Sequence, residues 1–261
     1  MRESVLVTGA TGRLGGALLP RLTELGYKVR GMSRTVRSGG DVDWVTADLT
    51  TGYGLAAALT DVHAVVHLAA APYKRKYTDH VELDGTRRLA EVARECGVAH
   101  LLYVSIIGAD QIPWGYFRTK VRAEEIVSSG RVPWSIVRAA QFHEFMDQAF
   151  SMAARSGLMI ADPGIRAQPV DVRDVAHHLI RRLQAGPSGE TEDFGGPEVL
   201  AFDEAARQWL EARGKRRPLV RMKVPGKVGA TFRGDHLVTD ATPTGTITWK
   251  RYLQEQGRSL G

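Results

Sequence analysis

The residues with the clearest chemical potential are Tyr116 and Lys120, which form a Tyr-x-x-x-Lys motif. At the start of a predicted helix, Tyr116–Ser128, this spacing puts both side chains on one face. A phenol can donate a proton to a carbonyl oxygen that gains negative charge. A neighbouring ammonium group lowers the phenol pKa from its usual value of about 10. The pair therefore predicts acid catalysis on a carbonyl group.

Ser105 is the third candidate catalytic residue. It ends the predicted strand Leu101–Ser105 and precedes Tyr116 by eleven positions. A hydroxyl group there can hydrogen-bond the substrate oxygen and hold it near the phenol. The short Tyr/Lys motif also arises by chance, so two alternatives stay open. In one, the pair only binds a cofactor ribose, and in the other both residues are ordinary helix-surface residues.

A glycine-rich loop, Thr8–Gly15 with the sequence TGATGRLG, separates the first predicted strand from the first predicted helix. Gly9 permits a tight turn, Gly12 lets the backbone approach a pyrophosphate, and Gly15 lets the helix pack closely on the sheet. The helix N-terminus offers N–H groups and a partial positive charge to phosphates. Because the loop joins a strand to a helix, it predicts a dinucleotide-binding site.

The end of the second predicted strand indicates which dinucleotide is bound. A site for NAD usually places an acidic residue there to bind the ribose 2′-hydroxyl. This chain has Ser33 and Arg34 instead, with Arg37 close behind and no acid before Asp41. A guanidinium group suits a 2′-phosphate, which a carboxylate would repel. The predicted cofactor is therefore NADP(H), and Arg13 in the glycine loop is a second candidate cation.

The elements that position these residues alternate between strand and helix over the first 140 residues. The strand candidates are apolar, as expected when both faces of a parallel sheet are buried, and amphipathic segments separate them. This pattern predicts an α/β fold: a Rossmann-type doubly wound parallel sheet with helices on both faces and a small C-terminal substrate lobe. We expect residues 1–140 to form the NADP-binding core. Residues 141–261 should form the substrate lobe, integrated with the core in one compact unit.

Composition limits the classes of function. The chain has 261 residues, 43% of them hydrophobic, which is enough to bury a large core. A single cysteine, Cys96, excludes an internal disulfide and a multi-cysteine metal site, so we expect no metal and a cytoplasmic location. The sequence shows neither a secretion signal nor a membrane-spanning segment. The net charge is +6, but the basic residues are scattered, so we expect no nucleic-acid partner.

Several segments carry a resemblance to a known family. They are the glycine loop followed by Ala47–Leu49, His67–Ala71, Asp84–Thr86, Tyr103–Ser105 and Pro169–Ala176. Together they resemble the short-chain dehydrogenase/reductase superfamily in its atypical, NmrA-like NAD(P)H-binding branch. The resemblance implies that Asp48 and Leu49 contact adenine, that Leu68, Ala69 and Ala70 lie beside the adenine ribose, and that Ser105 is the active-site serine. That branch contains both enzymes and NADP-binding regulators with no known turnover.

The predicted site has three parts. The catalytic set is Ser105, Tyr116 and Lys120. The substrate pocket is predicted to be mostly apolar, which favours a hydrophobic substrate, and its His143 is a further candidate acid or base. More often such a histidine has a packing role. The predicted substrate contacts are Ile107, Trp114, Gln141, Phe142 and His143, and the predicted cofactor contacts are Gly9, Thr11, Gly12, Arg13, Leu14, Gly15, Ser33, Arg34, Asp48, Leu49, Leu68, Ala69, Ala70 and Lys120.

These residues predict an NADPH-dependent reductase of a ketone, enone or quinone-like small molecule, in which Tyr116 gives the proton. Two other classes of function stay open. One is an NADP(H)-sensing regulator that binds a protein partner without turnover, and the other is a redox-neutral epimerase or dehydratase. The short substrate lobe and the lack of sugar-binding polar clusters argue against the second. We expect a small-molecule substrate, no nucleic acid, no membrane, and a monomer or homodimer.

Overall fold

Seven strands form the main sheet of the protein, whose computed structural model describes residues 3–71, 76–113 and 115–258. The strand order in this sheet is β3-β2-β1-β4-β5-β6-β9, and two short two-stranded sheets pair β10 with β8 and β11 with β7. The strands are β1 Ser4–Thr8, β2 Lys28–Ser33, β3 Asp43–Thr46, β4 Ala64–His67, β5 His100–Ile106, β6 Trp134–Ala139, β7 Met159–Ala161, β8 Arg166–Ala167, β9 Thr191–Phe194, β10 Leu200–Ala201 and β11 Leu219–Arg221.

Helices connect these strands. A π-helical turn, His80–Gly85, joins the third helix to the fourth without a break. The helices are α1 Arg13–Glu24, α2 Leu55–Leu59, α3 Lys76–Asp79, α4 Thr86–Glu95, α5 Gly115–Ser128, α6 His143–Ala154, α7 Val172–Ala185, α8 Phe202–Ala212, α9 Gly226–Phe232 and α10 Trp249–Arg258. The Oγ1 atom of Thr248 accepts a hydrogen bond from the Arg251 N–H at 3.2 Å and so caps the N-terminus of α10.

The centre of the sheet follows from its apolar sequence. Val5, Leu6 and Val7 of β1 are buried, and β1 pairs in parallel with β2 on one side and β4 on the other. Parallel pairs β2–β3 and β4–β5 extend this arrangement in both directions. The doubly wound α/β fold predicted from the sequence is therefore confirmed. Because these strands are parallel, their carboxyl ends lie at one edge, where such sheets bind ligands.

The chain divides into two compact units. The first consists of Met1–Ser105, Pro113–Arg138 and Ala176–Glu192, and the second of Ile106–Ile112, Ala139–Val175 and Asp193–Gly261. The division predicted from the sequence, at residue 140, lies next to one of these boundaries. The sequence pattern does not predict that Ala176–Glu192 belongs to the first unit. That assignment has a physical reason, because this segment leads into β9, which is part of the main sheet.

Each unit has its own apolar core. In the first unit the core lies around Leu6, Leu89 and Tyr103, and in the second it lies around Phe150, Trp209 and Trp249. The described ranges contain no helix with the length and hydrophobicity needed to cross a membrane.

Candidate active site

The glycine loop follows β1 and opens α1. Gly9 has a φ of +64°, and a Cβ atom there would lie 2.7 Å from backbone atoms of Leu68 and Ala69. Gly15 lies directly under the loop, because its Cβ would be 2.6 Å from the carbonyl oxygens of Gly9 and Ala10. These two glycines let the loop fold tightly against the end of β4 and the first turn of α1.

Gly12 leaves the open side of the same loop free of side chains. It is the N-cap of α1, makes no side-chain capping bond, and a Cβ there would approach only the Gly9 carbonyl oxygen, at 3.1 Å. The first N–H groups of a helix have no acceptor within the helix and attract anions. Thr11, Gly12 and Arg13 are exposed, while Leu14 and Gly15 are buried. This arrangement fits the pyrophosphate of a dinucleotide.

A buried hydrogen-bond chain ties the end of β1 to the end of β4. Thr8 Oγ1 lies 2.6 Å from His67 Nδ1 and accepts hydrogen bonds from the Leu68 and Ala69 N–H groups, both at 3.2 Å. His67 Nε2 lies 3.0 Å from Thr86 Oγ1. Burial, with the charge of Lys120, lowers the pKa of His67 to about 3, so the imidazole is neutral at pH 7.

The end of β2 carries no carboxylate. Ser33 is buried and its Oγ accepts a hydrogen bond from the Thr35 N–H, whereas Arg34 is exposed and donates to Tyr77 Oη at 2.5 Å. Burial would raise the pKa of Asp48, but two hydrogen bonds from Thr50 and the charge of Arg34 bring it below its usual value. Leu49 is buried in the first core.

Tyr116 and Lys120 meet at a third residue, Glu82. The Tyr116 hydroxyl donates to Glu82 Oε1 at 2.9 Å, and Lys120 Nζ donates to Glu82 Oε2 at 3.2 Å. The carboxylate also accepts the Ala71 N–H at 3.1 Å and the Tyr103 hydroxyl at 3.4 Å. Glu82 is fully buried, so its negative charge is balanced by the Lys120 ammonium rather than by water.

Lys120 has further partners that fix its position. Its ammonium donates to Tyr103 Oη at 2.8 Å and to the Val104 carbonyl oxygen at 2.9 Å, and only 3% of the residue is exposed. Burial, with the charge of Glu82, raises the pKa of Tyr103 well above 10. Tyr103 is fully buried, while Tyr116 is only half-buried. Of these two tyrosines, Tyr116 is the one with surface that a ligand can reach.

Ser105 lies near the carboxyl end of β5 and is 1% exposed. Its Oγ has no hydrogen-bond partner among the residues that the structure describes. A buried hydroxyl without a partner is costly, and a ligand oxygen would satisfy it. The Ser105 hydroxyl is therefore available to hydrogen-bond a polar atom of a ligand.

The predicted substrate residues that the structure describes belong to the second unit. Ile107 is buried, whereas Gln141 and Phe142 are half-buried. His143 is fully buried, and its ring lies 5.5 Å from the Trp249 ring and 5.2 Å from the Tyr252 ring. Neither ring nitrogen makes a hydrogen bond to a described residue, and Nδ1 lies 3.7 Å from Asp171 Oδ2. The aromatic packing suits a core histidine, and the role of His143 as an acid or base stays a prediction. Trp114 lies outside the described residues.

Glu82 is the site residue that sequence analysis missed. A signal was present, because Glu82, Thr86, Leu89 and Ala93 follow one another at helical spacing and all are fully buried. The sequence predicts a helix over Val81–Glu95, and following the spacing of Leu89 and Ala93 back to position 82 would have placed an acidic residue on the buried side. No cluster of three or more histidine, cysteine or acidic residues suited to a metal occurs within the described part of the chain.

Comparison with known proteins places this geometry in a family. The sequence profile of the NAD(P)H-binding family matches residues 9–185. The (4-alkanoyl-5-oxo-2,5-dihydrofuran-3-yl)methyl phosphate reductase of Streptomyces griseus is 30% identical over 232 residues, covering 81% of this chain and 74% of that protein. The 40 kDa subunit of NADH-ubiquinone oxidoreductase from Neurospora crassa is 27% identical over 241 residues, covering 87% of this chain. This chain spans only 64% of that subunit's length.

Two solved structures share the fold over nearly the whole chain. A short-chain dehydrogenase/reductase superfamily protein from Agrobacterium tumefaciens with bound NAD has a TM-score of 0.74 and 22% identity, covering 99% of this chain and 97% of that chain. An NADPH-dependent quinone oxidoreductase from Escherichia coli has a TM-score of 0.78 and 16% identity, covering 97% of this chain and 99% of that chain. These likenesses confirm the predicted fold.

Proposed function

Because the chain belongs to the NAD(P)H-binding family, we propose that it is an NADPH-dependent reductase of a hydrophobic ketone, enone or quinone-like small molecule. The observation that carries this proposal is the half-buried Tyr116 hydroxyl, which shares one hydrogen-bonded cluster with the Lys120 ammonium. Ser105 supports it with a buried hydroxyl available to a ligand oxygen. A protein that only stores the cofactor has no need of all three groups.

The cofactor would be held by groups already described. Gly12 and the first turn of α1 would bind the pyrophosphate, the backbone of Leu68–Ala70 would lie beside the adenine ribose, and Arg34 would meet the 2′-phosphate. The missing acid at the end of β2 and the exposure of Arg34 favour NADPH over NADH. When bound, NADPH supplies hydride to the substrate carbon.

The protein's own residues would handle the oxygen of the substrate. Ser105 Oγ would hydrogen-bond that oxygen and hold it near Tyr116. As hydride adds to the carbonyl carbon, the electron pair of the C=O π bond moves to the oxygen. That pair then forms the new O–H bond with the proton from Tyr116. The Tyr116 phenolate left behind would regain a proton from water. In this scheme the substrate gains one hydride and one proton, and Lys120 holds the cluster in place.

The choice of substrate class has two kinds of support. The predicted contacts Ile107 and Phe142 are apolar, which suits a hydrophobic molecule. Among the similar proteins, one is named as a reductase of a phosphate ester that carries an alkanoyl group, and another as a quinone oxidoreductase. Carbonyl and quinone reduction both need a proton donor beside a hydride acceptor.

The test is a screen of ketones, enones and quinones with NADPH, followed by the absorbance of the reduced nicotinamide. With the best substrate, Tyr116→Phe should lower kcat by roughly 10²- to 10⁴-fold, the usual contribution of a general acid. Tyr53→Phe removes a hydroxyl from a tyrosine that is 69% exposed and serves as the matched control. Unchanged turnover in Tyr116→Phe would show that the assigned mechanism is wrong.

A second candidate function is an NADP(H)-binding regulator without turnover. One observation favours it: the Tyr116 hydroxyl and the Lys120 ammonium are both engaged by Glu82 rather than directed only toward a ligand. A regulator of this kind would bind NADPH tightly and oxidise it with no member of the substrate panel. Turnover that is lost in Tyr116→Phe would exclude it.

A further inference from the structure

The buried carboxylate of Glu82 changes what the Tyr/Lys pair can do, and the inference drawn from it deepens the proposed function. The simple scheme for Tyr-x-x-x-Lys has the ammonium lower the phenol pKa toward neutrality. Here the ammonium lies 3.2 Å from a carboxylate, and that same carboxylate accepts the phenol proton at 2.9 Å. The positive charge is thus already balanced before Tyr116 ionises.

Ionisation of Tyr116 would bring two negative charges within hydrogen-bond distance. The Tyr116 oxygen would lose the hydrogen that now bridges it to Glu82 Oε1, and among the described residues the Lys120 ammonium would face both anions. Like charges at such short range disfavour the second ionisation strongly where water is excluded. Glu82 is fully buried and Lys120 nearly so, hence water screens this repulsion little. The cluster therefore favours the neutral phenol.

The backbone places Glu82 for this role. It lies in the π-helical turn His80–Gly85, and single π-helical turns inside α-helices occur often at functional sites. The Ala71 N–H donates to Glu82 Oε1, the atom that also accepts from Tyr116, so the carboxylate is fixed from the β4 side as well. Glu82 itself is inaccessible, whereas Tyr116 is half-buried. Of Glu82 and Tyr116, the tyrosine is therefore the residue with surface that a substrate can reach.

We propose that Glu82 is a positioning residue that keeps Tyr116 protonated in the free protein, the state in which the phenol can donate a proton to a substrate oxygen. Glu82 holds the hydroxyl, and Lys120 holds Glu82. The lysine thus acts on the tyrosine through the carboxylate and not as a direct partner of a phenolate.

Within the described ranges, the other titratable groups near Tyr116 do not substitute for Glu82. His67 on β4 is neutral at pH 7, because burial lowers its pKa to about 3, and the Tyr103 pKa on β5 is raised by burial. Further along α5, Glu124 is occupied by a two-point ion pair with Arg138. The titratable groups that the structure describes around the cluster, on α3, β4, the π-helical turn, β5 and α5, are Asp79, His67, Glu82, Tyr103, Lys120 and Glu124.

The test is an absorbance titration of tyrosinate in the protein without cofactor or substrate. The Tyr116 contribution is the difference between a protein and its own Tyr116→Phe version. In the wild type its midpoint should lie above the usual value of about 10. Glu82→Gln keeps the size of the side chain, removes its charge, and should lower the midpoint by about one pH unit or more, a tenfold change in the phenol-to-phenolate ratio.

Glu124→Gln is the matched control, because it also removes a buried carboxylate, here one on α5, the helix of Tyr116 and Lys120. Glu124 pairs with Arg138, so this variant should leave the midpoint unchanged. A wild-type midpoint below that of free tyrosine would overturn the proposal, and this measurement needs no Glu82 variant to fold. An unchanged midpoint in folded Glu82→Gln would also overturn it. Because the titration uses no substrate, it can succeed where the turnover screen fails, so the two proposals fail separately.

Discussion

Replacing Lys120 by methionine is the perturbation that most directly exposes the energetics of the site. Methionine is similar in length and fills the space, but it leaves the Glu82 carboxylate buried without its cation. Lys120 is 3% exposed, Glu82 is fully buried, and their charged atoms are 3.2 Å apart. At an effective dielectric constant of about 20, that distance corresponds to roughly 5 kcal/mol of attraction.

The expected loss of unfolding free energy is about 3–5 kcal/mol, the usual result of removing one partner of a buried ion pair. The loss is large because Glu82 cannot reach water, while its remaining donors, on Tyr116, Tyr103 and Ala71, are neutral. The double variant Lys120→Met/Glu82→Gln removes both charges. It should recover most of the loss, because a neutral amide keeps hydrogen-bonding capacity without an uncompensated charge.

The assay is guanidinium unfolding at pH 7, read on the transition that reports the first compact unit. Lys250→Met changes an exposed lysine on α10 and should alter stability by less than about 0.5 kcal/mol. A loss below about 1 kcal/mol in Lys120→Met would refute the claim that the ion pair is buried and coupled. Equal losses in the single and double variants would refute the claim that the uncompensated charge is the cause.

Two further predictions concern the walls of the cofactor site. Gly9→Ala should abolish dinucleotide binding, measured by calorimetry, and should lower thermal stability by more than Gly26→Ala does. Both glycines have positive φ, but of the two only a Gly9 Cβ would meet backbone atoms, at 2.7 Å. His67, whose pKa falls to about 3 on folding, should make the protein less stable as pH drops below 6.5, since the unfolded chain then binds more protons. Between pH 7 and 5 the wild type should lose about 2 kcal/mol more unfolding free energy than His67→Gln, and equal losses would contradict the burial of a neutral imidazole.

The core of the fold could be predicted from sequence because its signals are local. Apolar runs such as that of β1 and the loop Thr8–Gly15 record strand burial and backbone conformation within a few residues. The predicted end of the second strand differs from the observed end by one residue, since the sequence predicts Lys28–Met32 and the structure has Lys28–Ser33. By contrast β9, Thr191–Phe194, was not predicted, because two of its four residues are acidic and its apolar signal is weak.

The cluster around Glu82 could not be predicted to the same degree, because it depends on contacts between distant parts of the chain. Tyr116 and Lys120 are four positions apart, but Glu82 is separated from them by 34 and 38 positions. The π-helical turn that contains Glu82 also has no sequence signature as simple as a glycine. For this reason the motif indicated that Tyr116 and Lys120 could do chemistry, but not that the Glu82 carboxylate contacts both of them.

The central claim is that this site binds NADPH, and calorimetry with NADPH and NADH on wild type and Arg34→Ala tests it most directly. Arg131→Ala removes another exposed arginine, between α5 and β6, and serves as the control. We predict that NADPH binds the wild type more tightly than NADH, that Arg34→Ala loses this preference, and that Arg131→Ala keeps it. Equal binding of both dinucleotides by the wild type, or no binding of either, would contradict the account.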